Sequence, residues 1–129
     1  MDKLRLGMVG SQFAAHLHLN NFGKLRGSKM EVVAIASKTE KSALQTAQEF
    51  DIPDVYTDYR RLLDRKDIDV VDLCVPNDLH EEMIVTAAQA GKHIICEKPL
   101  TGYFGKEIEG EEVGFRVPKE VMLKGVLES

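Results

Sequence analysis

An α/β fold built on a doubly wound parallel sheet is predicted by three observations. Apolar runs alternate with segments of helical periodicity along the first hundred residues. The run Val32-Val33-Ala34-Ile35 is too continuously apolar for a strand with one wet face, which implies a sheet covered on both sides. The runs are joined by short connections, for which right-handed crossovers are the common solution.

Leu4 to Val9, with Arg5 its only charge, reads as the first strand, and Gly10-Ser11 turns the chain. Phe13 to Leu25 then carries Ala14, Leu17, His18, Phe22 and Leu25 at helical spacing. Gly23 and Gly27 bound the next loop, and Glu31 to Ala36 is the second strand. Thr39 is placed to cap a helix with Glu40 in its first turn and a core stripe of Ala43, Leu44, Ala47 and Phe50, closed by Pro53. Arg60 to Leu63 reads as one short helical turn, and Ile68 to Val75, interrupted by Asp69 and Asp72 and stopped at Pro76, as the third strand. Asp78-x-x-Glu81 has the spacing of a capping box before Met83, Ile84, Ala87 and Ala88, and Gly91 stands where a helix C-cap belongs. Ile94-Ile95-Cys96 is the fourth strand.

Residues 1–100 make one domain, since 129 residues with 43% hydrophobic content can bury one core and not two. Tyr103 to Gly114 holds three glycines and four glutamates with little periodicity, and reads as an exposed acidic loop. Pro118 then opens a last helix toward Leu127. A helix after a parallel strand ordinarily leads to another strand, so residues 101–129 are expected to be the start of a missing remainder, and the sheet to stop short of its last strand or strands.

A net charge of −4 and scattered lysines and arginines give no field for a phosphate backbone, so nucleic acid is not an expected partner. No apolar run approaches the roughly 20 residues of a membrane span, and Met1-Asp2-Lys3 leads into the first strand without a signal segment. A cytoplasmic protein is expected. Cys74 and Cys96 lack CxxC spacing and stand at the ends of strand-like runs, as small buried residues rather than a disulfide.

Gly10 follows a strand and precedes a helix, the place where backbone N–H groups and the helix's positive end receive a pyrophosphate. In the dinucleotide fingerprint G-x-G-x-x-G/A the three positions are Gly10, Gln12 and Ala15. Gln12 either obstructs the close backbone approach or offers its amide to a phosphate, with Phe13 and Ala14 behind it. The second strand ends in Ser37-Lys38, a hydroxyl and an ammonium that suit a 2′-phosphate, so NADP(H) is expected ahead of NAD(H). Cys96-Glu97-Lys98-Pro99 leaves the fourth strand with a carboxylate and an amine at the sheet's carboxyl edge, where open α/β sheets keep their ligands.

Leu6-Gly7-Met8-Val9-Gly10 with Ala15 and His18, then Val75-Pro76-Asn77-Asp78-Leu79-His80, then Ala90-Gly91-Lys92-His93 and Glu97-Lys98-Pro99, together resemble the amino-terminal Rossmann-like domain of the Gfo/Idh/MocA oxidoreductases. The resemblance spans about Leu4 to Leu100, and the ordered set is more specific than any one motif. It implies hydride transfer between NAD(P) and a sugar, polyol or related small polar substrate. A carboxy-terminal α/β substrate domain, absent from this chain, would complete the enzyme, and its sheet would supply the contacts of any homo-oligomer. It carries Lys98 over as the residue beside the reacting hydroxyl and the nicotinamide. Glu97, Pro76, Asn77 and His80 are implied beside the cofactor, with an exposed His80 and a merely helix-capping Asn77 as the alternative.

Lys98 serves alcohol oxidation either as a base of lowered pKa or as a charged donor; adjacent Glu97 opposes the first and favours the second. His18 faces the sheet and reads as a packing histidine. His16 and His93 have no partner at ligand spacing, so no metal is expected. The competing function is a non-catalytic dinucleotide-sensing or protein-interaction module that kept the fold and lost the second fingerprint glycine.

Overall fold

A computed structural model describes residues 3–24, 29–100 and 118–128. Its sheet has five parallel strands, β1 (Leu4–Val9), β2 (Met30–Ala36), β3 (Asp54–Tyr56), β4 (Val70–Leu73) and β5 (His93–Cys96), in the order β3-β2-β1-β4-β5. Between them run α1 (Phe13–Phe22), α2 (Glu40–Glu49), α3 (Tyr59–Leu63) and α4 (His80–Gln89); α5 (Lys119–Glu128) comes last. The doubly wound parallel sheet is therefore present. The order reverses between β1 and β4, and such a switch point is where open α/β sheets hold ligands.

Each face of the sheet is covered by its own helices. Met8, Ile35 and Cys74 pack with Ala15 and Leu19 of α1 and Ala47 of α2. Val9, Val33, Val71 and Leu73 pack on the other side with Leu62 and Leu63 of α3 and Ala87 of α4. Gly7 lets α3 approach β1 closely, since a Cβ there would lie 2.6 Å from Leu62 Cδ2.

Several expectations are corrected. The sheet has a strand more than the four expected: β3 pairs Asp54, Val55 and Tyr56 with Ala34, Ile35 and Ala36. Three residues between Pro53 and Thr57 are too short to show any alternation. The inward stripe of α1 is Ala15 and Leu19, and Leu17 is exposed, as are Leu44 of α2 and Ala88 of α4. Asp78 forms no capping box: Asn77–Leu79 is a 3₁₀ turn, closed by Leu79 N–H donating to the Pro76 carbonyl at 3.0 Å, and α4 begins only at His80 without a side-chain cap. Gly91 does follow the end of α4, with φ of 72°. The acidic loop expected at Tyr103 to Gly114, and the helix end expected at Leu25, lie outside the described residues.

At the amino ends of the strands, Arg65 grips Asp67 through Nε at 2.9 Å and Nη2 at 2.8 Å, and Asp54 through Nη1 at 2.5 Å. The Arg65 guanidinium beside it holds the Asp67 carboxyl down at about 2. This cluster ties the β3 and β4 connections together, on the side away from the candidate site.

Candidate functional site

Register builds the site. Val9 pairs with Leu73 and Leu73 with Cys96, so the next residue of each chain, Gly10, Cys74 and Glu97, forms a row at the carboxyl edge beside the switch point. Gly10 sits at φ of 113°, and a Cβ there would overlap the Cys74 carbonyl oxygen. Only glycine gives both that backbone conformation and that proximity. Gln12 occupies the N-cap position of α1 with no side-chain cap bond, and the helix has no acidic residue in its first turn, so its amino end is left open to an anion. Phe13 is 82% exposed at this opening, Gln12 is exposed, and Ala14 is half-buried.

A chain of hydroxyls runs from this turn along the strand ends. Ser11 Oγ lies 2.7 Å from Ser37 Oγ, Ser37 Oγ 3.1 Å from Ser42 Oγ, and Ser42 Oγ 2.5 Å from Thr39 Oγ1. Ser42 Oγ also donates to the Thr39 carbonyl at 3.0 Å, which leaves it to accept from Ser37 and Thr39 and sets the direction of the chain. Lys38 is exposed beside it. A cavity of about 340 Å³ lined by Glu40, Leu44, Val55, Tyr56, Thr57 and Arg61 lies next to this end of the sheet.

At the other end of the crevice, Pro76, Asn77 and Lys98 are exposed and Glu97 is half-buried. The Lys98–Pro99 peptide bond is cis. His80 is fully buried, with Nδ1 2.8 Å from the Pro99 carbonyl and Nε2 3.1 Å from the Val75 carbonyl. The exposed alternative for His80 is thereby corrected.

Sequence reasoning missed the group at the centre. Asp72, Cys74 and Glu97 fall on the alternating side of β4 and β5 that faces α1. His18 there donates or accepts through Nδ1 to Asp72 Oδ2 at 2.8 Å and through Nε2 to Glu97 Oε1 at 3.0 Å, with Cys74 Sγ 3.4 Å from Nδ1. Burial works to lower the His18 pKa, yet the hydrogen bonds and charges of Asp72 and Glu97 together raise it, favouring the imidazolium. Burial pushes Asp72 up, against the pull of His18, while the His18 hydrogen bond holds Glu97 down. Burial and the Asp72 charge push the Cys74 thiol far up, so it stays protonated. The available signal was Asp72 itself: a carboxylate inside an apolar run must have a partner. His16 binds α2 instead, through Thr46 at 3.2 Å and Glu49 at 3.5 Å. Both cysteines are free.

Among the described residues no helix is long and apolar enough to cross a membrane. The family described as "Oxidoreductase family, NAD-binding Rossmann fold" matches residues 4–107. A levoglucosan dehydrogenase of Pseudarthrobacter phenanthrenivorans is 36% identical over 106 residues, covering 78% of this chain and 27% of the relative. An NADP⁺-dependent D-xylose 1-dehydrogenase of Haloferax volcanii is 42% identical over 77 residues, covering 60% and 24%. The solved structure of levoglucosan dehydrogenase with NADH and levoglucosan superposes with a TM-score of 0.72 at 34% identity, over 77% of this chain and 28% of that one. The chain thus spans about a quarter of the length of these relatives.

Proposed function

The chain belongs to the oxidoreductase family with the NAD-binding Rossmann fold, and on that premise we propose that it is the dinucleotide-binding part of an enzyme moving hydride between a nicotinamide cofactor and a hydroxyl-bearing carbon of a sugar, polyol or related compound. Residues 1–100 form that part, and the substrate-binding part lies outside it. The observation that carries the reading is the row Gly10, Cys74, Glu97, which sets an open helix amino end and Lys98 along one crevice at the switch point.

The residues fit a dinucleotide. Gly10 provides the cradle that a Cβ would fill, and the N–H groups opening α1 meet the pyrophosphate, with Gln12, Phe13 and Ala14 around it. Ser37 and Lys38 take the adenosine ribose. Pro76, Asn77, Glu97 and Lys98 line the nicotinamide end. The bound cofactor supplies the hydride acceptor. Lys98 serves as a charged donor that orients the reacting hydroxyl and stabilises the negative charge growing on its oxygen, help of a kind typically worth about 10²–10³-fold. Its proton-accepting partner comes from the substrate-binding part.

We infer NADP(H) ahead of NAD(H), because Ser37-Lys38-Thr39 carries an ammonium and hydroxyls and no carboxylate. The nearest opposing charge in sequence is Glu40 in the first turn of α2. A cytoplasmic setting suits the two free cysteines.

Titration of the protein with NADPH and NADH, followed by cofactor fluorescence, tests the reading. Saturable binding, tighter for NADPH, supports it; no binding at millimolar cofactor overturns it. Gln12→Gly separates the competing sensing module. A large gain in affinity marks Gln12 as the scar of a degraded site, and a loss marks it as a phosphate contact.

A further inference from the structure

Lys98 stands exposed between two residues that are each held by a histidine. On one side the Glu97 carboxylate is 3.0 Å from Nε2 of His18. On the other the Pro99 carbonyl is 2.8 Å from Nδ1 of His80. The second nitrogen of each ring rests on the end of β4: Nδ1 of His18 on Asp72, and Nε2 of His80 on the Val75 carbonyl at 3.1 Å. The rings approach from opposite faces of the sheet, His18 from α1 and His80 from the first turn of α4.

We propose that His18 and His80 are positioning residues that bracket Lys98, each anchored on β4 and each fixing one chain neighbour of the lysine. The proposal rests on the reading of Lys98 given above. Its physical reason is that, among the described residues, β5 pairs only with β4, and Lys98, Pro99 and Leu100 after it are exposed, so the two histidines supply the side-chain contacts shown to hold this segment. A buried pair such as His18–Asp72 seldom adds stability over an apolar pair of the same volume. What an apolar pair could not do is present an N–H to Glu97. The same histidine joins α1, whose amino end opens the phosphate turn, to the residue beside Lys98.

The groups facing His18 are Asp72 and Cys74 from β4 and its end, Glu97 from the end of β5, and Phe22 on its own helix, ring centroids 6.1 Å apart. Lys98 and Cys96 flank Glu97 in the chain. The imidazolium has an N–H for each of Asp72 and Glu97, and the neutral ring has only one, so loss of a proton from His18 leaves one of the two carboxylates without its donor.

Nuclear magnetic resonance of the protein tests the bracket without any cofactor. The Lys98 amide should have an order parameter near the rigid-backbone value at pH 6, and should loosen as the His18 ring, followed through its own nitrogen signals, loses a proton. His18→Gln should show a loosened Lys98 amide at every pH, with no step. Should that variant not fold, Glu97→Ala, which removes the acceptor and leaves the His18–Asp72 pair in place, should loosen the same amide. His80→Gln should do so from the Pro99 side. A Lys98 amide that stays as ordered in Glu97→Ala as in the wild type overturns the bracket. NADH affinity is then measured on the same samples, at constant pH. Binding by the wild type, reduced about tenfold in His80→Gln, which keeps every residue lining the crevice, supports both readings. A wild type that is ordered at Lys98 and binds no NADH refutes the proposed function and leaves the bracket standing.

Discussion

Asp72 of β4 and His18 of α1 are 54 positions apart in sequence and 2.8 Å apart in space, and Asp72 is wholly buried. A carboxylate taken fully out of water needs a partner, and no other cation among the described residues is shown to bond it. His18→Leu should therefore cost about 3 kcal/mol in stability, at the low end for breaking a buried pair from one side. His18→Leu combined with Asp72→Leu should recover much of that loss. Urea denaturation at pH 7 checks both.

The pH dependence has a defined sign. The His18 pKa is raised by folding, so the stability it contributes is complete below its unfolded value of 6.5 and is lost as pH rises through the folded value. The Glu97 pKa is lowered, so its contribution is complete above 4.5 and is lost as pH falls through the folded value. The advantage of the wild type over Glu97→Gln should be greatest between those limits and should fade on both sides, as followed by thermal melts across the pH range.

Gly10→Ala meets two obstacles at once, a φ of 113° and the Cys74 carbonyl. Backbone strain of this kind costs about 1–3 kcal/mol, and displacement of Cys74 adds to it. The variant should melt well below the wild type and lose dinucleotide binding. By contrast, Gly23→Ala, where a Cβ meets only backbone oxygens at 3.8 Å and beyond, should melt like the wild type.

Lys38→Glu should reverse the choice between cofactors. A carboxylate repels a 2′-phosphate and accepts from a 2′-hydroxyl, so the ratio of NADPH to NADH affinity should fall by tenfold or more, about 1.4 kcal/mol. Parallel fluorescence titrations read the ratio directly.

Much of the sheet was legible because its strands announce themselves locally. The unbroken apolar run Val32 to Ile35 said that both faces were covered, and Gly10 between a strand and a helix marked the turn. Strand β3 was illegible, since three residues carry no period. The capping box at Asp78 was misread because spacing alone does not tell a helix start from the 3₁₀ turn that Pro76 opens. Lys98 and Glu97 were visible as charges after a strand. The contacts around them were not: His18 reaches Glu97 and Asp72, and His80 reaches the Pro99 carbonyl, only through the register of β4 on β5 and the side of the sheet that each helix takes. Positions just after a strand, such as Gly10, Glu97 and Lys98, were readable locally, whereas the contacts of His18 and His80 depended on residues distant in sequence.

Amide chemical-shift mapping with NADPH tests the central claim most directly. Shifts concentrated at Gly10 to Ala14, Ser37, Lys38, Asn77, Glu97 and Lys98, with the Arg65–Asp67 region at the opposite end of the strands unmoved, are the predicted result. Saturating shifts centred elsewhere, or none at millimolar NADPH, would contradict it.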